Sequence, residues 1–370
     1  MFMRIRAIAI VALLAVVLSL LQGILSTYAQ TAPTDDGIGQ PLFTQIPLNA
    51  SVSHTANTIP YWSSSFTYAG QTYPYSMVGT NPTTGGSSTI TTEIIPLSFT
   101  FSTGQTLDGS TKTNLTLGSP IFQNASFSSG FTQYGDAIMR AEWWSTGGSS
   151  AGYHVLLGQP TILGTEQISV PKNQGIFEIG RRSGAPIGLL DIQWFSAQLT
   201  QLLGQLHISS TTVPIFLTYN TFLYIGDNLS NCCVLGYHGA QNGVAHGGSQ
   251  NGNGNQQVQT FIYAAYSDPG IFRSSIIQDI NGLSHEVSEW LNDPFTNNAV
   301  PPWSVPSEPQ YGCTNLLETG DPLVGVGFVV NGYHPQDEAF YSWFARETPS
   351  RAQNGYYTYL NTFSSVATGC

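Results

Sequence analysis

Residues 284–294 read SHEVSEWLNDP and carry the strongest structural signal in the chain. Apolar and polar positions alternate here at helical spacing, and the closing Asp-Pro pair ends the helix because proline cannot continue it. We predict a helix over residues 274–292. Residues four apart lie on one helix face, so His285 and Glu289 point the same way, whereas Glu286 is turned by about 100°.

This spacing indicates a metal-binding helix. In an H-E-x-x-H helix, two side chains at i and i+4 hold a zinc ion, and the intervening glutamate takes a proton from the water that the metal activates. Here Glu289 stands where the second histidine would be. Zinc accepts a carboxylate, but one histidine with several carboxylates shifts the preference toward harder ions such as manganese. We therefore predict a divalent metal, zinc or manganese, on His285 and Glu289, with Glu286 as general base.

Three further residues are candidate metal ligands. Glu318 and Asp321 follow the helix in a turn that can pack back on it, and His238 stands between the two strands predicted ahead of the helix. Each also has an ordinary explanation, as an acidic turn beside a proline or as a packed histidine. An isolated H-E-x-x-E helix can likewise be an acidic, solvated face.

The chain on either side of the helix predicts a mixed α/β region. Apolar residues recur at helical spacing over 186–206, which predicts an amphipathic helix. Residues 213–225 and 259–266 are typical of buried strands, and between them lies a polar loop at 239–256. A third helix is predicted over 336–346.

The first half of the chain predicts short strands between clusters of Gly, Ser, Thr and Asn, as in residues 88–101. The predicted fold class is therefore α+β. A β-rich region at 41–171 is followed by a mixed α/β region at 172–370.

A resemblance to known families follows from these motifs. The strand, Gly-rich loop, strand and H-E-x-x-E helix resemble a zincin-type metallopeptidase core with a replaced second ligand. Residues 284–294, followed by Glu318-x-x-Asp321 near Cys313, are similar to the H-E-x-x-E segment of the EXORDIUM, or phosphate-induced, family of secreted proteins. The resemblance covers about residues 214–321. It implies a zincin-like C-terminal half with a metal site, and either peptidase-like chemistry or a role at the cell wall.

The N-terminus predicts export. Arg4 and Arg6 precede a long apolar run, and a small residue, Ala29, closes a cleavage site, so residues 1–29 are a predicted signal peptide. A retained anchor is the alternative, but the segment that follows has no basic stop-transfer flank. Residues 30–40 form a polar leader. We expect a secreted, extracellular protein.

Charge limits the partners. Only 8% of the residues are charged and the formal net charge is −11, which makes nucleic acid and anionic membranes poor partners. We predict a peptide or extracellular polymer as substrate, and no membrane contact after signal cleavage. A metal-dependent hydrolase of the peptidase type and a non-catalytic extracellular or cell-wall-associated protein with a structural metal both fit. An open coordination position would distinguish them.

Four cysteines in an exported chain predict two disulfides. Adjacent cysteines bridge each other only across a distorted peptide, so Cys232 and Cys233 are expected to pair separately with Cys313 and Cys370.

Overall fold

The computed structural model describes residues 57–226, 228–242, 257–305 and 312–370. The predicted signal peptide and leader lie outside these ranges, as do residues 243–256 of the predicted polar loop.

The strands are β1 Tyr61–Tyr68, β2 Gln71–Val78, β3 Ser87–Phe101, β4 Thr106–Asp108, β5 Ala125–Phe127, β6 Gly130–Thr132, β7 His154–Leu157, β8 Thr161–Ile162, β9 Glu166–Val170, β10 Gly175–Ile179, β11 Pro186–Asp191, β12 Thr212–Tyr219, β13 Thr221–Tyr224, β14 Cys232–Val234, β15 Gly236–Asn242, β16 Val258–Tyr266, β17 Ala299–Trp303 and β18 Thr314–Leu316. The helices are α1 Thr113–Leu117, α2 Tyr134–Glu142, α3 Ile192–Gln205, α4 Asn281–Asn292 and α5 Tyr341–Phe344, with short 3₁₀ turns at Gly109–Lys112, Trp144–Thr146, Asp321–Leu323 and Gln353–Gly355.

The main sheet joins both halves of the chain. Its order is β15-β16-β12-β3-β4, in which β3, β12 and β16 are parallel and β15 is antiparallel to β16. Successive parts of the long β3 also pair with β7, β8 and β9. The central strands are buried almost throughout, which accounts for their continuous apolar sequences. The α+β class is confirmed, with several sheets, and strands from 41–171 and 172–370 share the main one.

A smaller sheet has the strand order β10-β11-β13-β14, and it corrects the predicted bounds of one helix and one strand. The helix predicted over 186–206 begins only at Ile192, because the preceding apolar residues pair as β11 with β10 and β13. The side chain of Asp191 caps this helix by accepting a hydrogen bond from the backbone N–H of Trp194. The strand predicted over 213–225 is two strands, since Asn220 takes a positive φ of 45° between them.

The predicted metal-binding helix is shorter than its pattern. It begins at Asn281 rather than near residue 274, because Asp279 has a φ of 43° and its backbone pairs with Ser267. The helix, α4, packs against β15, β16 and α2. On the side away from His285, Val287 and Leu291 are 0% and 1% exposed, and burial of each such side chain contributes roughly 2 kcal/mol. This packing fixes the opposite, polar face of α4.

Two more predictions are corrected by backbone pairing. Of the helix predicted over 336–346, only Tyr341–Phe344 is helical, because the backbone N–H groups of Ala339 and Phe340 donate to Thr319 and Tyr357. The first residues of the predicted polar loop at 239–256 belong to β15.

The predicted cysteine pairing is wrong. Cys232 bonds to its neighbour Cys233, and Cys313 bonds to Cys370. The prediction excluded this bridge because it needs a distorted peptide, and the peptide between the two cysteines is cis. The Cys313–Cys370 bridge instead ties the end of the chain to the segment before β18. Within the described ranges, no helix is both long and apolar enough to cross a membrane.

Candidate metal centre

The polar face of α4 lies beneath the edge strand β15 and the turn that follows β18. This arrangement brings together every residue that the sequence singled out, namely His238 from β15, His285, Glu286 and Glu289 from α4, and Glu318 and Asp321 from the turn. The three segments that supply them are separated in sequence, and all of these residues except His285 are buried.

The ligand atoms form two groups that share one carboxylate. The first contains His285, Glu289 and Asp321, and the second contains His238, Glu289 and Glu318. Within each group the ligand atoms lie within 4.8 Å of one another. Glu289 is therefore the common member of both groups.

The separations fit metal coordination. Nε2 of His285 lies 3.2 Å from Oε2 of Glu289 and 3.6 Å from Oδ1 of Asp321, and Nδ1 of His238 lies 3.7 Å from the same oxygen of Glu289. Two zinc ligands with bonds of about 2.0–2.2 Å at a tetrahedral angle are about 3.3–3.6 Å apart. The side chains can thus surround a cation with small adjustments.

Glu289 is oriented by the turn that supplies Asp321. Its Oε1 accepts hydrogen bonds from the backbone N–H groups of Gly320, at 3.1 Å, and of Asp321, at 3.3 Å. Because these bonds occupy Oε1, Oε2 is left to face the two histidines. Outer hydrogen bonds of this kind fix ligand geometry in metal sites.

His285 is oriented by residues that the sequence did not reveal. The Gln336 amide lies 3.0 Å from Nδ1 of His285, and its nitrogen donates to the carbonyl of Gly320 at 2.7 Å. The backbone N–H of Gln336 in turn donates to Ser284 on α4. The same amide nitrogen makes both contacts, so Nδ1 of His285 accepts from it. A cation at Nε2 would place the ring proton on Nδ1 and would require the Gln336 amide to move.

Glu286 lies between the two histidines. Its Oε2 is 3.3 Å from Nδ1 of His238, and its Oε1 is 3.8 Å from Nε2 of His285. A glycine is required beside it, because a Cβ on Gly236 would lie 2.6 Å from the Glu286 side chain. The backbone of the edge strand β15 therefore packs directly against the Glu286 side chain.

The centre has more buried negative charge than its histidines can balance. Burial alone would lower the pKa of His285, but the carboxylates of Glu289, Glu286 and Asp321 raise it well above its ordinary value. Burial would raise the pKa of Glu289, yet the charge and hydrogen bond of His285 lower it.

The pKa values of the two carboxylates in the turn shift in the opposite direction to that of Glu289. Burial, followed by repulsion from Glu289, raises the pKa values of both Glu318 and Asp321 well above the ordinary range. Buried carboxylates in this situation bind either protons or a cation. This is the setting in which a divalent metal is strongly attracted.

Glu338 and Tyr134 also adjoin the centre and were missed. Glu338 is 0% exposed, its Oε1 lies 3.0 Å from the Tyr134 hydroxyl, and the charges of His285 and Glu289 act on it. The sequence signal for Glu338 was the polar run at 336–338, which was assigned to the predicted helix at 336–346.

Access differs across the centre. The side chains of His285 and Asp321 are 14% and 10% exposed, whereas those of Glu286, Glu289 and His238 are 4–5% exposed. Solvent therefore reaches the group around His285. Comparison of the chain with family profiles, with curated proteins and with solved structures gives no match.

Proposed function

We propose that the protein is an exported metal-dependent hydrolase in which His285, Glu289 and Asp321 hold a divalent cation and Glu286 is the general base. The observation that carries this proposal is the position of Glu286, with one oxygen toward each histidine beside the candidate ligands. The partial exposure of His285 and Asp321 supports an open coordination position, which a catalytic metal requires.

The chemistry follows from these positions. A divalent cation here would lower the pKa of water and polarise a carbonyl group. Glu286 would take a proton from the water that attacks the carbonyl carbon, and would return it to the leaving nitrogen or oxygen as the old bond breaks. Burial raises the pKa of Glu286, which brings this carboxylate closer to the range in which a general base works at neutral pH.

The substrate class rests on the resemblance and on composition. The H-E-x-x-E helix favours a zincin-like C-terminal half and therefore a peptide or another extracellular polymer with a hydrolysable carbonyl bond. The low charge of the chain supports a neutral substrate. Zinc is our first choice of metal because of the imidazole ligands and the resemblance to zincins, and manganese is the second because of the several carboxylates.

Export rests on residues 1–29 and agrees with two disulfides, which persist in oxidising compartments. The mass of the secreted protein tests this part, because the mature chain should begin at Gln30. A secreted chain that retains residues 1–25 would contradict it.

The test of the activity compares Glu286→Gln with His285→Ala. Wild-type protein loaded with zinc or manganese is assayed on fluorogenic peptides and esters, together with metal analysis. Glu286→Gln should keep the metal and the melting temperature but lose roughly 10²–10⁴-fold in kcat, the usual contribution of a general base. His285→Ala should lose metal and activity together.

A matched control is Glu142→Gln, which changes a buried carboxyl on α2 outside the centre. It should retain both metal and activity. If the wild type binds metal but turns over no substrate, and Glu286→Gln changes nothing measurable, the site is structural and the hydrolase proposal fails.

A further inference from the structure

We infer that the centre binds two divalent cations, one on each side of Glu289, whose carboxylate bridges them. The inference rests on the proposed metal centre and extends it. One cation would be held by His285 and Asp321, and the other by His238 and Glu318. The arrangement gives each ion one histidine, one carboxylate of its own and a share of Glu289.

The first argument is distance. Among the described residues, no group of ligand atoms lying within 4.8 Å of one another contains both His238 and His285. One cation with bonds of about 2.1 Å cannot join atoms more than about 4.2 Å apart. A single ion could therefore engage only one histidine in this arrangement, whereas two ions engage both.

The second argument is the position of Glu289. Its Oε2 lies 3.2 Å from Nε2 of His285, and Glu289 also offers a ligand atom within 4.8 Å of those of His238 and Glu318, so the carboxylate belongs to both groups. Paired catalytic metal ions lie about 3.5–4 Å apart, a spacing that one carboxylate can span. The backbone N–H bonds from Gly320 and Asp321 hold Glu289 in this position.

The third argument is an unsatisfied buried atom. His238 is 5% exposed, its Nδ1 contacts Glu286, and its Nε2 is buried without a hydrogen-bond partner. A buried imidazole needs a partner at each nitrogen. A cation at one nitrogen and the carboxylate of Glu286 at the other would satisfy the ring, as in known metal sites.

Charge agrees with two ions rather than one. Metal-bound histidines are neutral, and Glu286, Glu289, Glu318 and Asp321 together carry four negative charges when ionised, to which the adjoining Glu338 would add a fifth. Two divalent cations balance four of these charges, whereas one balances only two. The second ion would also hold a substrate oxygen beside the first, which allows both reacting oxygens to be stabilised.

The experiment counts metal ions in the full mature chain. Purified protein is stripped with chelator, titrated with Zn²⁺ or Mn²⁺ by calorimetry, and analysed by elemental mass spectrometry. We expect two ions per chain in the wild type. Glu318→Gln and Asp321→Asn should each retain one ion, and Glu289→Gln should weaken both by at least tenfold, while the control Glu142→Gln should still bind two.

A measurement on the wild type tests the proposal even if some of these variants fail to fold. When loaded with two equivalents of Mn²⁺, the wild type should give the EPR spectrum of an exchange-coupled pair rather than the hyperfine pattern of isolated ions. If the protein binds one ion per chain and its turnover depends on Glu286, the two-metal proposal is wrong and the hydrolase proposal stands. Absence of any stoichiometric metal would overturn both.

Discussion

Gly320 lies directly against the ring of His285. A Cβ built on Gly320 would lie 2.5 Å from Nδ1 of that ring, well inside van der Waals contact. The same glycine donates its N–H to Glu289 and accepts a hydrogen bond from Gln336. One backbone position therefore sets the orientation of two candidate ligands.

The first prediction concerns this contact. Gly320→Ala should displace the His285 ring and lower metal affinity by roughly 10–100-fold, the usual effect of disturbing the residues that orient a ligand. Competition with a fluorescent zinc chelator measures the change. The control is Gly164→Ala, where an added Cβ meets open space. Equal affinities in wild type and Gly320→Ala would show that His285 is not a ligand.

The second prediction concerns metal removal. A ligand that binds only the folded state at a free concentration of 100 times Kd stabilises it by about 2.7 kcal/mol. Chelation should therefore lower the melting temperature of the wild type by several degrees, and added Zn²⁺ should restore it. His285→Ala should melt at one temperature with or without chelator. A wild-type melting temperature that chelator does not change would contradict this.

The third prediction concerns the pH dependence of stability. Burial raises the pKa of Glu142 from 4.5 to about 8, although the backbone N–H of Tyr341 and the charge of Arg351 oppose it. The folded state thus keeps a proton that the unfolded chain releases. This contribution favours folding fully below pH 4.5 and is lost as pH rises toward about 8.

Glu142→Gln removes the titration, so the variant should gain stability over the wild type as pH rises, by at most about 1.4 kcal/mol per pH unit. Urea unfolding of both proteins between about pH 5 and about pH 8 measures the difference, in which the other buried carboxyls cancel. As a control, Gln201→Ala changes an exposed residue of α3, and its free energy of unfolding should differ from that of the wild type by the same amount at every pH. A flat difference for Glu142→Gln as well would disprove a protonated Glu142.

The fourth prediction concerns the Cys313–Cys370 disulfide, which joins residues 57 positions apart. In the chain-entropy model, removal of a bridge of this loop length costs about 4 kcal/mol. The double variant Cys313→Ser and Cys370→Ser should unfold at lower denaturant concentration and should bind metal more weakly, because Glu318 follows closely on Cys313. Unchanged unfolding midpoints would show that the bridge does not constrain the fold.

The cysteines illustrate what lay beyond the sequence. The number of disulfides was predicted correctly, since it follows from cysteine count and compartment. The partners were not, because pairing depends on where β14 and the segment before β18 lie in space. The predicted helix bounds were wrong for a similar reason. At Asp279, a positive φ and backbone pairing with Ser267 exclude the helix, although the helical pattern continues in the sequence.

By itself, the sequence determined the α+β class, the α4 helix and the shared face of His285 and Glu289, because helical periodicity is fixed by hydrogen bonds between near neighbours. Only the tertiary structure decided that His238, Glu318 and Asp321 join this face, and that Gln336 and Glu338 adjoin it. These side chains meet because β15 pairs with β16 and the turn after β18 packs on α4. Such contacts depend on burial between segments far apart in the chain, which no local pattern encodes.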